Sequence, residues 1–246
     1  MDTILSSAPL AAIADPVIRL DNIVFGWPGS PPVLNIPELT IAASERIFLK
    51  GPSGSGKSTL LNLIGGIHVP QQGVVRVLGQ ELQRQSSAWR DNFRADHIGL
   101  IFQQFNLLPY LSVLDNVMLP CRFSKRRSAR ATARYGSLDK AAMHLLEHLG
   151  IIGDVLQGRA VTRLSIGQQQ RVAVARALMG SPELVIADEP TSALDSDSRD
   201  DFLNLLISEC DASDSTLVFV SHDRSLETHF TQSISLGDIN QTEERL

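Results

Sequence analysis

Little in this sequence points to a disulfide framework or to a nucleic-acid surface. Aromatic residues make up only 5% of the 246 residues, so we expect a core built mostly from Leu, Ile, Val and Ala. The two cysteines, Cys121 and Cys210, lie far apart and lack metal-ligand spacing, which favours two buried, reduced thiols. The formal net charge of −5 lacks the basic excess typical of nucleic-acid binding, so we expect no nucleic-acid partner.

Long hydrophobic runs are also missing. No apolar segment approaches the ~20 residues that a membrane-spanning helix needs. The first 16 residues are mildly apolar, but Asp2 stands near the front and no basic region precedes them. This pattern predicts an N-terminal tail over 1–16 rather than a signal peptide. We therefore expect a cytoplasmic chain whose membrane role, if any, comes through a partner.

Strands and helices alternate along most of the chain, which predicts the α/β class. The expected strands cover 17–50, 184–187 and 217–220, and the expected helices cover 57–64, 165–179 and 197–209. Strands that are apolar along nearly their whole length indicate a parallel sheet covered on both faces.

The segment 89–160 carries more helix signals than its flanks, so we interpret it as an inserted α-helical subdomain. Asp139 is the expected cap of one of its helices, whose apolar stripe is Ala142, Leu145, Leu146 and Leu149. The domain that begins at residue 17 would then have its catalytic core over about 17–88 and 161–246.

A glycine-rich loop lies between a predicted strand and a predicted helix. Its sequence, GPSGSGKST, fits the G-x-x-x-x-G-K-[ST] phosphate-binding loop in the structural context that the motif requires. Lys57 would reach the β- and γ-phosphates, the Ser58 hydroxyl would bind Mg²⁺, and Thr59 would support the α-phosphate. The expected nucleotide-binding residues of the loop are Gly51, Pro52, Ser53, Gly54, Ser55, Gly56, Lys57, Ser58 and Thr59.

Two acidic residues end the strand over 184–187. Asp188 would hold Mg²⁺ through water, because it follows a buried strand beside the phosphate-binding loop. Glu189 comes directly after it and is the candidate general base for the attacking water. The pair adds hydrolysis to the nucleotide binding that the loop predicts.

Residues 164–171 read LSIGQQQR and, taken with the phosphate-binding loop, resemble the signature motif of ATP-binding cassette (ABC) ATPases. The usual form is LSGGQ, and Ile166 stands here in place of the first glycine. Other motifs of the family follow in order. They are Trp27 in FGWP as the adenine-stacking aromatic, Gln103 in IFQQ as the Q-loop glutamine, Asp195 in SALD as the D-loop, and His222 in VSHD as the switch histidine.

The resemblance implies a P-loop NTPase (RecA-like) core with an antiparallel β subdomain and the helical insertion. It implies a head-to-tail homodimer, or a pair with a related ABC subunit, around two ATP and two Mg²⁺, with permease subunits anchoring the chain at the inner face of the membrane. Implied catalytic residues are Glu189, His222, Gln103 and Lys57. Ser58, Gln103 and Asp188 would serve the metal, while Ser165, Gly167 and Gln168 would bind the partner's nucleotide and Trp27 the adenine.

Several alternatives stay open at this stage. Trp27 could be a packing residue of the β subdomain, Gln103 a surface amide and His222 a structural residue. The sequences of several segments resemble those of the subgroup of lipoprotein-release and MacB-like extrusion systems. An importer subunit, a regulator like that of the cell-division FtsE–FtsX pair, and a soluble cassette acting on ribosomes or DNA are the rival functions. The last of these usually has two cassettes or a long coiled-coil insertion.

Two further sequence features allow specific predictions. Ile166 is β-branched, so a positive φ at this position would be strained, and we predict a negative φ with the phosphate contact preserved through Ser165 and Gly167. The basic stretch over 122–134 favours a solvated loop and helix face over a contact with lipid headgroups.

Overall fold

Two β-sheets and a group of helices make up the part of the chain that the computed structural model describes, which is residues 15–153, 160–192, 194 and 196–242. The strands of these residues are β1 (Ile18–Gly26), β2 (Pro32–Ile41), β3 (Arg46–Lys50), β4 (Gln72–Val77), β5 (Gln80–Glu81), β6 (Ile98–Ile101), β7 (Leu184–Asp188), β8 (Thr216–Val220) and β9 (Gln232–Ser235). Their helices are α1 (Lys57–Ile64), α2 (Ser87–His97), α3 (Val113–Phe123), α4 (Lys125–Tyr135), α5 (Leu138–His148), α6 (Ile166–Leu178), α7 (Ser196–Ala212) and α8 (Leu236–Ile239). Most of the predicted N-terminal tail lies outside the described residues.

The larger sheet has five strands in the order β6, β7, β8, β3, β9, and every neighbouring pair is parallel. Alternate residues of β7 enter different apolar clusters. Val185 packs with α6 and α7, whereas Leu184 and Ile186 pack with α1 and the smaller sheet. The sheet is therefore covered on both faces, and the predicted α/β class is confirmed.

The smaller sheet is antiparallel and has the order β2, β1, β4, β5. Its long β1–β2 hairpin packs apolar side chains such as Ile18 and Ile36 into the cluster that also contains Leu60 and Leu63 of α1. The hairpin is thereby held next to the loop that precedes α1. Within the described residues, no helix is both long and apolar enough to cross a bilayer.

Helices α3, α4 and α5 contact one another, and α3 and α5 also contact α6. The predicted helical segment over 89–160 contains these three helices, but it also contains β6, which pairs with β7 in the parallel sheet. β6 was missed because it has only four residues and lies directly after α2. The division into subdomains stays a prediction, and residues 154–159 of the segment lie outside the described residues.

The prediction that Asp139 caps α5 is wrong. The cap is Ser137, whose hydroxyl accepts a hydrogen bond from the Lys140 N–H at 3.2 Å. Asp139 lies in the first turn, where its charge complements the positive end of the helix dipole. A hydroxyl two positions earlier can reach the free N–H groups of this turn.

The basic stretch is a solvated face at Arg122, Lys125, Arg126 and Arg134, as predicted, but Arg127 is buried and Arg130 is half-buried. Arg126 and Arg130 donate to the same carboxylate oxygen of Glu183, at 2.6 and 2.7 Å. Arg127 is only 2% exposed and donates to the Ala177 carbonyl at 2.8 Å. Burial lowers the pKa of Arg127 to about 10, and hydrogen bonds from His97 and the two arginines hold the pKa of Glu183 well below its usual range.

Both cysteines are buried, as predicted. Cys121 lies on α3 and Cys210 lies on α7, and both are unpaired thiols. Burial raises the pKa of Cys121, and burial together with nearby carboxylates raises the pKa of Cys210 to about 12. Neither thiol is therefore a nucleophile at neutral pH.

Gly180 allows α4 to approach the turn between α6 and β7, and its replacement should destabilise the fold. Its φ is +77°, and a Cβ there would lie 2.6 Å from Cβ of Arg127 and 2.7 Å from the Arg127 carbonyl oxygen. Gly136 is a matched control, because its φ is +84° but a Cβ would meet no atom within 4 Å. Gly136→Ala should cost only the backbone term of about 1–2 kcal/mol. Gly180→Ala should lower the free energy of unfolding by about 1–3 kcal/mol more.

Urea denaturation followed by circular dichroism measures both changes on the same scale. Equal losses for the two variants would show that α4 does not press against Gly180.

Candidate functional site

The carboxyl ends of three neighbouring parallel strands lead into three of the four predicted catalytic residues, Lys57, Glu189 and His222. β8 lies between β7 and β3, and Val220 at its end is in register with both Leu49 and Asp188. The phosphate-binding loop follows β3, Glu189 follows β7, and His222 follows β8. Parallel pairing therefore brings together segments that are far apart in the sequence.

Gly56 has two reasons to be glycine. Its φ is +103° at the cap of α1, and a Cβ would approach Leu34 at 3.0 Å and Val33 at 3.1 Å. Gly54 also has a positive φ, of +78°, whereas a Cβ there would meet no atom within 4 Å. The loop thus turns tightly between the β1–β2 hairpin and α1, and its backbone N–H groups lie at the positive end of a helix.

Lys57 is folded back onto its own loop. Its ammonium group donates to the carbonyls of Gly51 at 2.8 Å and Pro52 at 3.0 Å, and the residue is 6% exposed. Burial lowers the pKa of Lys57, and the charges of Glu189 and Asp188 offset part of this effect. The hydroxyl of Ser55 is buried without a hydrogen-bond partner. A buried hydroxyl without a partner and a buried cation in the same loop fit a loop that accepts an anion.

Ser58 and Asp188 meet across the sheet edge. The Ser58 hydroxyl donates to Asp188 Oδ2 at 3.0 Å, although the two residues are 130 positions apart in the sequence. Hydroxyl and carboxylate oxygens are the ligands that Mg²⁺ prefers when it also binds phosphates. These two residues therefore fit the expected metal.

Glu189 and His222 form the second close pair. His222 Nε2 lies 2.5 Å from Glu189 Oε1, and the Glu189 N–H donates to the Val220 carbonyl at 3.0 Å. Glu189 has a φ of +48°, a left-handed conformation that costs a non-glycine residue about 1–3 kcal/mol. Because of this conformation, the backbone turns at Glu189 and does not continue the strand, and the carboxylate points toward the cleft.

A cleft of about 410 Å³ joins these residues. Its lining residues are Trp27, Ser30, Val33, Ser53, Gly54, Gly56, Lys57, Ser58, Thr59, Glu189 and His222. Trp27 is 46% exposed and packs its edge against Phe25 and His68, with ring centroids 5.4 and 5.2 Å apart. It therefore has one packed side and one side free for a ligand, as an adenine-stacking residue needs.

Not every predicted site residue reaches this cleft. Gln103 is exposed in the turn after β6 and is not part of the cleft lining. Asp195 lies outside the described residues. Thus the structure brings together the phosphate-binding loop, the acidic pair, His222 and Trp27, while the metal role of Gln103 stays a prediction.

The signature motif forms the start of α6 and also lies outside the lining of the cleft. Ser165 caps the helix in a reciprocal capping box: Gln168 N–H donates to its hydroxyl at 3.2 Å, and Gln168 Oε1 accepts from the Ser165 N–H at 3.0 Å. Ile166 is the first helical residue, has no positive φ and is 56% exposed, which confirms the prediction for its backbone. A Cβ on Gly167 would meet no atom within 4 Å, so its space is open to a ligand.

Some residues of the site carry no sequence signal. Ser30 and Val33 line the cleft only because the β1–β2 hairpin folds over the loop before α1. Arg176 of α6 donates to the carbonyls of Phe105 at 2.6 Å and Asn106 at 2.7 Å. Both acceptors have a positive φ, so this buried arginine fixes the turn that follows Gln103. Only the folded chain reveals contacts across about 70 sequence positions.

The sequence of the chain is similar to those of known ATP-binding proteins. The model of the ABC transporter family matches residues 34–192. The chain belongs to the ABC transporter family. It is therefore an ATPase, and the signature, acidic and phosphate-binding motifs are those of an ABC ATP-binding subunit.

Three curated relatives of this ABC chain differ in length. The lipoprotein-releasing system ATP-binding protein LolD of Anaeromyxobacter dehalogenans is 41% identical over 229 residues, which is 92% of each chain. The macrolide export ATP-binding/permease protein MacB of Burkholderia thailandensis is 37% identical over 229 residues, but the chain spans only 34% of its length. The protein named "Probable syringafactin export ATP-binding/permease protein SyfD" of Pseudomonas syringae pv. syringae is likewise covered over only 30% of its length, at 40% identity.

Solved structures confirm the fold. A dimeric post-hydrolysis state of the ATP-binding cassette MJ0796, bound to ADP and Pi, superposes with a TM-score of 0.77 at 35% identity. The match covers 93% of this chain and 98% of that one. The P-loop NTPase core with its antiparallel sheet is thus the fold of an ABC cassette.

Removing the Lys57 ammonium should weaken nucleotide binding. Charge-assisted hydrogen bonds contribute about 1.5–3 kcal/mol each, so Lys57→Ala should raise the Kd for ATP by at least about tenfold. A fluorescent ATP analogue titrated into the protein measures this change. Lys50→Ala is the control, because the Lys50 ammonium pairs with Glu227 at 2.8 Å and does not line the cleft. Equal losses of affinity in both variants would contradict the role of Lys57.

Proposed function

We propose that this ATPase works as a head-to-tail dimer around two MgATP and drives a membrane permease in export or in extraction of a substrate from the membrane. One observation supports the proposed dimer most directly. The capped start of α6, with Ser165 and Gly167, lies outside the cleft that holds the phosphate-binding loop of the same chain. The dimeric post-hydrolysis state of MJ0796, bound to ADP and Pi, supports a dimer for this chain as well.

The signature motif has the donors that a partner's nucleotide needs. The Ser165 hydroxyl uses a lone pair to accept the Gln168 N–H, so its own proton remains available to a phosphate. The space beside Gly167 allows an anion to approach the backbone. The positive end of the 13-residue α6 adds to this attraction. Gln168 contributes by holding Ser165 in its capping geometry.

Hydrolysis would use the pair at the strand ends. Glu189 accepts the proton of the attacking water, and His222 orients the Glu189 carboxylate and contacts the γ-phosphate. Lys57 exchanges its bonds to the Gly51 and Pro52 carbonyls for bonds to the β- and γ-phosphates. Mg²⁺, held by Ser58 and Asp188, would neutralise phosphate charge when bound. Trp27 stacks on the adenine.

A second cleft, of about 290 Å³, suits the permease. It lies between α2, β6 and α3 beside the turn that contains Gln103, and its exposed apolar residues include Phe102 and Phe123. The proposal places the chain at the inner face of the membrane through this contact. Gln103 would carry the state of the nucleotide to the permease, and Asp195 would organise the dimer interface.

The direction of transport rests on the relatives. LolD is named for lipoprotein release, and MacB and SyfD are named for export. A regulator of the FtsE kind and an importer subunit remain the alternatives, because they share the motifs. Co-purification from membranes should recover a permease with four transmembrane helices and a large extracytoplasmic domain. Recovery of a permease with another topology would contradict the extrusion role and leave the ATPase assignment intact.

Replacing the general base should stop turnover and retain the dimer. Glu189→Gln removes the proton acceptor but keeps the shape of the side chain, so kcat should fall by about 10²–10⁴-fold while ATP still binds. Phosphate release measures kcat, and light scattering with and without MgATP measures the dimer. The variant should remain dimeric with ATP for longer than the wild type, which opens after hydrolysis.

Glu227→Gln is the matched control. Glu227 is also a carboxylate after β8, but it pairs with Lys50 outside the cleft. Its loss should leave kcat within about twofold of the wild type, as expected for a surface pair. Wild-type turnover by Glu189→Gln would remove Glu189 from the role of general base.

A further inference from the structure

Helix α6 contacts the backbone just after the catalytic Glu189 of its own chain through a side chain that the mechanism above does not use. Gln170 lies in the second turn of the helix and is only 1% exposed. Its amide Nε2 donates a hydrogen bond to the Pro190 carbonyl oxygen at 2.7 Å. Pro190 directly follows Glu189, so the bond holds the peptide unit between Pro190 and Thr191, one residue beyond the general base.

The turn at Glu189 needs such support. Glu189 has the left-handed φ of +48°, and strained residues keep their conformation only where their surroundings hold them. On one side the Glu189 N–H donates to the Val220 carbonyl at 3.0 Å. On the other side the Pro190 carbonyl accepts from Gln170. The conformation that aims the carboxylate at His222 is therefore fixed by β8 and by α6 together.

The same helix begins at the residues that would meet the partner's nucleotide. Ser165 and Gln170 are five positions apart, which corresponds to about 7.5 Å of helix rise. The backbone hydrogen bonds of a helix transmit a shift of its first turn to its second turn with little loss. A movement of Ser165 toward a phosphate would thus also move the Gln170 amide relative to Pro190.

We propose that Gln170 is a positioning residue that couples the two nucleotide sites of the dimer. When the start of α6 binds the partner's ATP, Gln170 holds Pro190 and keeps the Glu189 carboxylate of its own chain in the reactive position. Each chain would then hydrolyse its own ATP only while the start of its α6 also binds the ATP of the other chain. This inference rests on the head-to-tail dimer proposed above.

The chemistry of the contact explains why a glutamine is needed. The Pro190 carbonyl is held in a buried contact and requires a hydrogen-bond donor. Proline has no N–H of its own, so Pro190 can accept a hydrogen bond from α6 but cannot donate one to it. A leucine at position 170 would fill the space but leave the carbonyl unsatisfied. Gln169 next to it bonds instead to the Leu164 carbonyl at 3.1 Å, away from Glu189.

The test compares Gln170→Leu with Gln169→Leu in the full chain. Gln170→Leu should lower kcat by about 10- to 100-fold, the loss expected when a catalytic group is misplaced by a fraction of an ångström to an ångström. Its Kd for a fluorescent ATP analogue should stay within about twofold, since no contact with nucleotide is removed. Gln169→Leu should leave both quantities near the wild type.

Cooperativity separates coupling from a purely structural role. The wild-type Hill coefficient for ATP hydrolysis should exceed 1 and can approach the number of sites, while that of Gln170→Leu should fall to about 1. The double variant Gln170→Leu/Glu189→Gln should still form the ATP-dependent dimer in light scattering. Lost dimerisation in the double variant would overturn the proposal and assign Gln170 to assembly.

A second variant guards against simple misfolding. In Gln170→Glu the protonated carboxyl can donate to Pro190, whereas the ionised carboxylate repels that carbonyl. Burial raises the pKa of such a carboxyl toward neutrality. The ratio of kcat for Gln170→Glu to that for Gln170→Leu should therefore rise as the pH is lowered. Taking this ratio cancels the titration of the other groups of the site, because both variants share them.

The outcomes distinguish a failure of the role of Gln170 from a failure of the proposed dimer. A kcat and Hill coefficient for Gln170→Leu equal to the wild-type values would overturn the role of Gln170 and leave the dimer proposal standing. Equal kcat ratios at all pH values would overturn the hydrogen bond as the cause. A wild-type protein that hydrolyses ATP with no cooperativity and as a monomer would instead refute the dimer proposal itself.

Discussion

Parallel pairing of β8 with both β7 and β3 is the constraint on which the site depends. Val220 lies beside Leu49 on one neighbour and Asp188 on the other. This register sets the phosphate-binding loop, the acidic pair and His222 at one edge of the sheet. A slip of one residue in either pair would turn the side chains of that strand to the opposite face, so the apolar clusters on both faces protect the catalytic geometry.

Helix α6 is the second organising element. Ser165 begins it with a capping box, Gln170 holds the loop after β7, and Arg176 holds the turn after β6. The three contacts lie on successive turns of one rigid rod. Regions that meet different molecules in the proposed assembly are therefore linked by a single piece of secondary structure rather than by loops.

The sequence predicted what depends on local chemistry. The bounds of α1 and the position of the strand before Asp188 follow from hydrophobic periodicity, and the phosphate-binding loop follows from its motif. Ile166 was also assigned the right backbone conformation, because a β-branched side chain excludes the left-handed region. These features are encoded within a few residues of where they appear.

Features that depend on distant contacts were missed or misassigned. β6 is too short to give a recognisable strand pattern in the sequence, and its place in the sheet is set by pairing with β7. Arg127 reads as one cation among several, yet it is buried because Gly180 leaves room for α4. The Gln170 contact with Pro190 joins residues 20 positions apart, and no spacing rule predicts it.

The burial of Cys121 and Cys210 gives this chain a practical property. The sequence contains no other cysteine, and burial raises the pKa of both thiols. The folded protein thus presents a surface that thiol-reactive probes leave untouched. A single cysteine introduced on α6 or on the β1–β2 hairpin would take up a spin label or fluorophore selectively. Distances across the interface of the proposed dimer could then be followed through the ATPase cycle in the otherwise native chain.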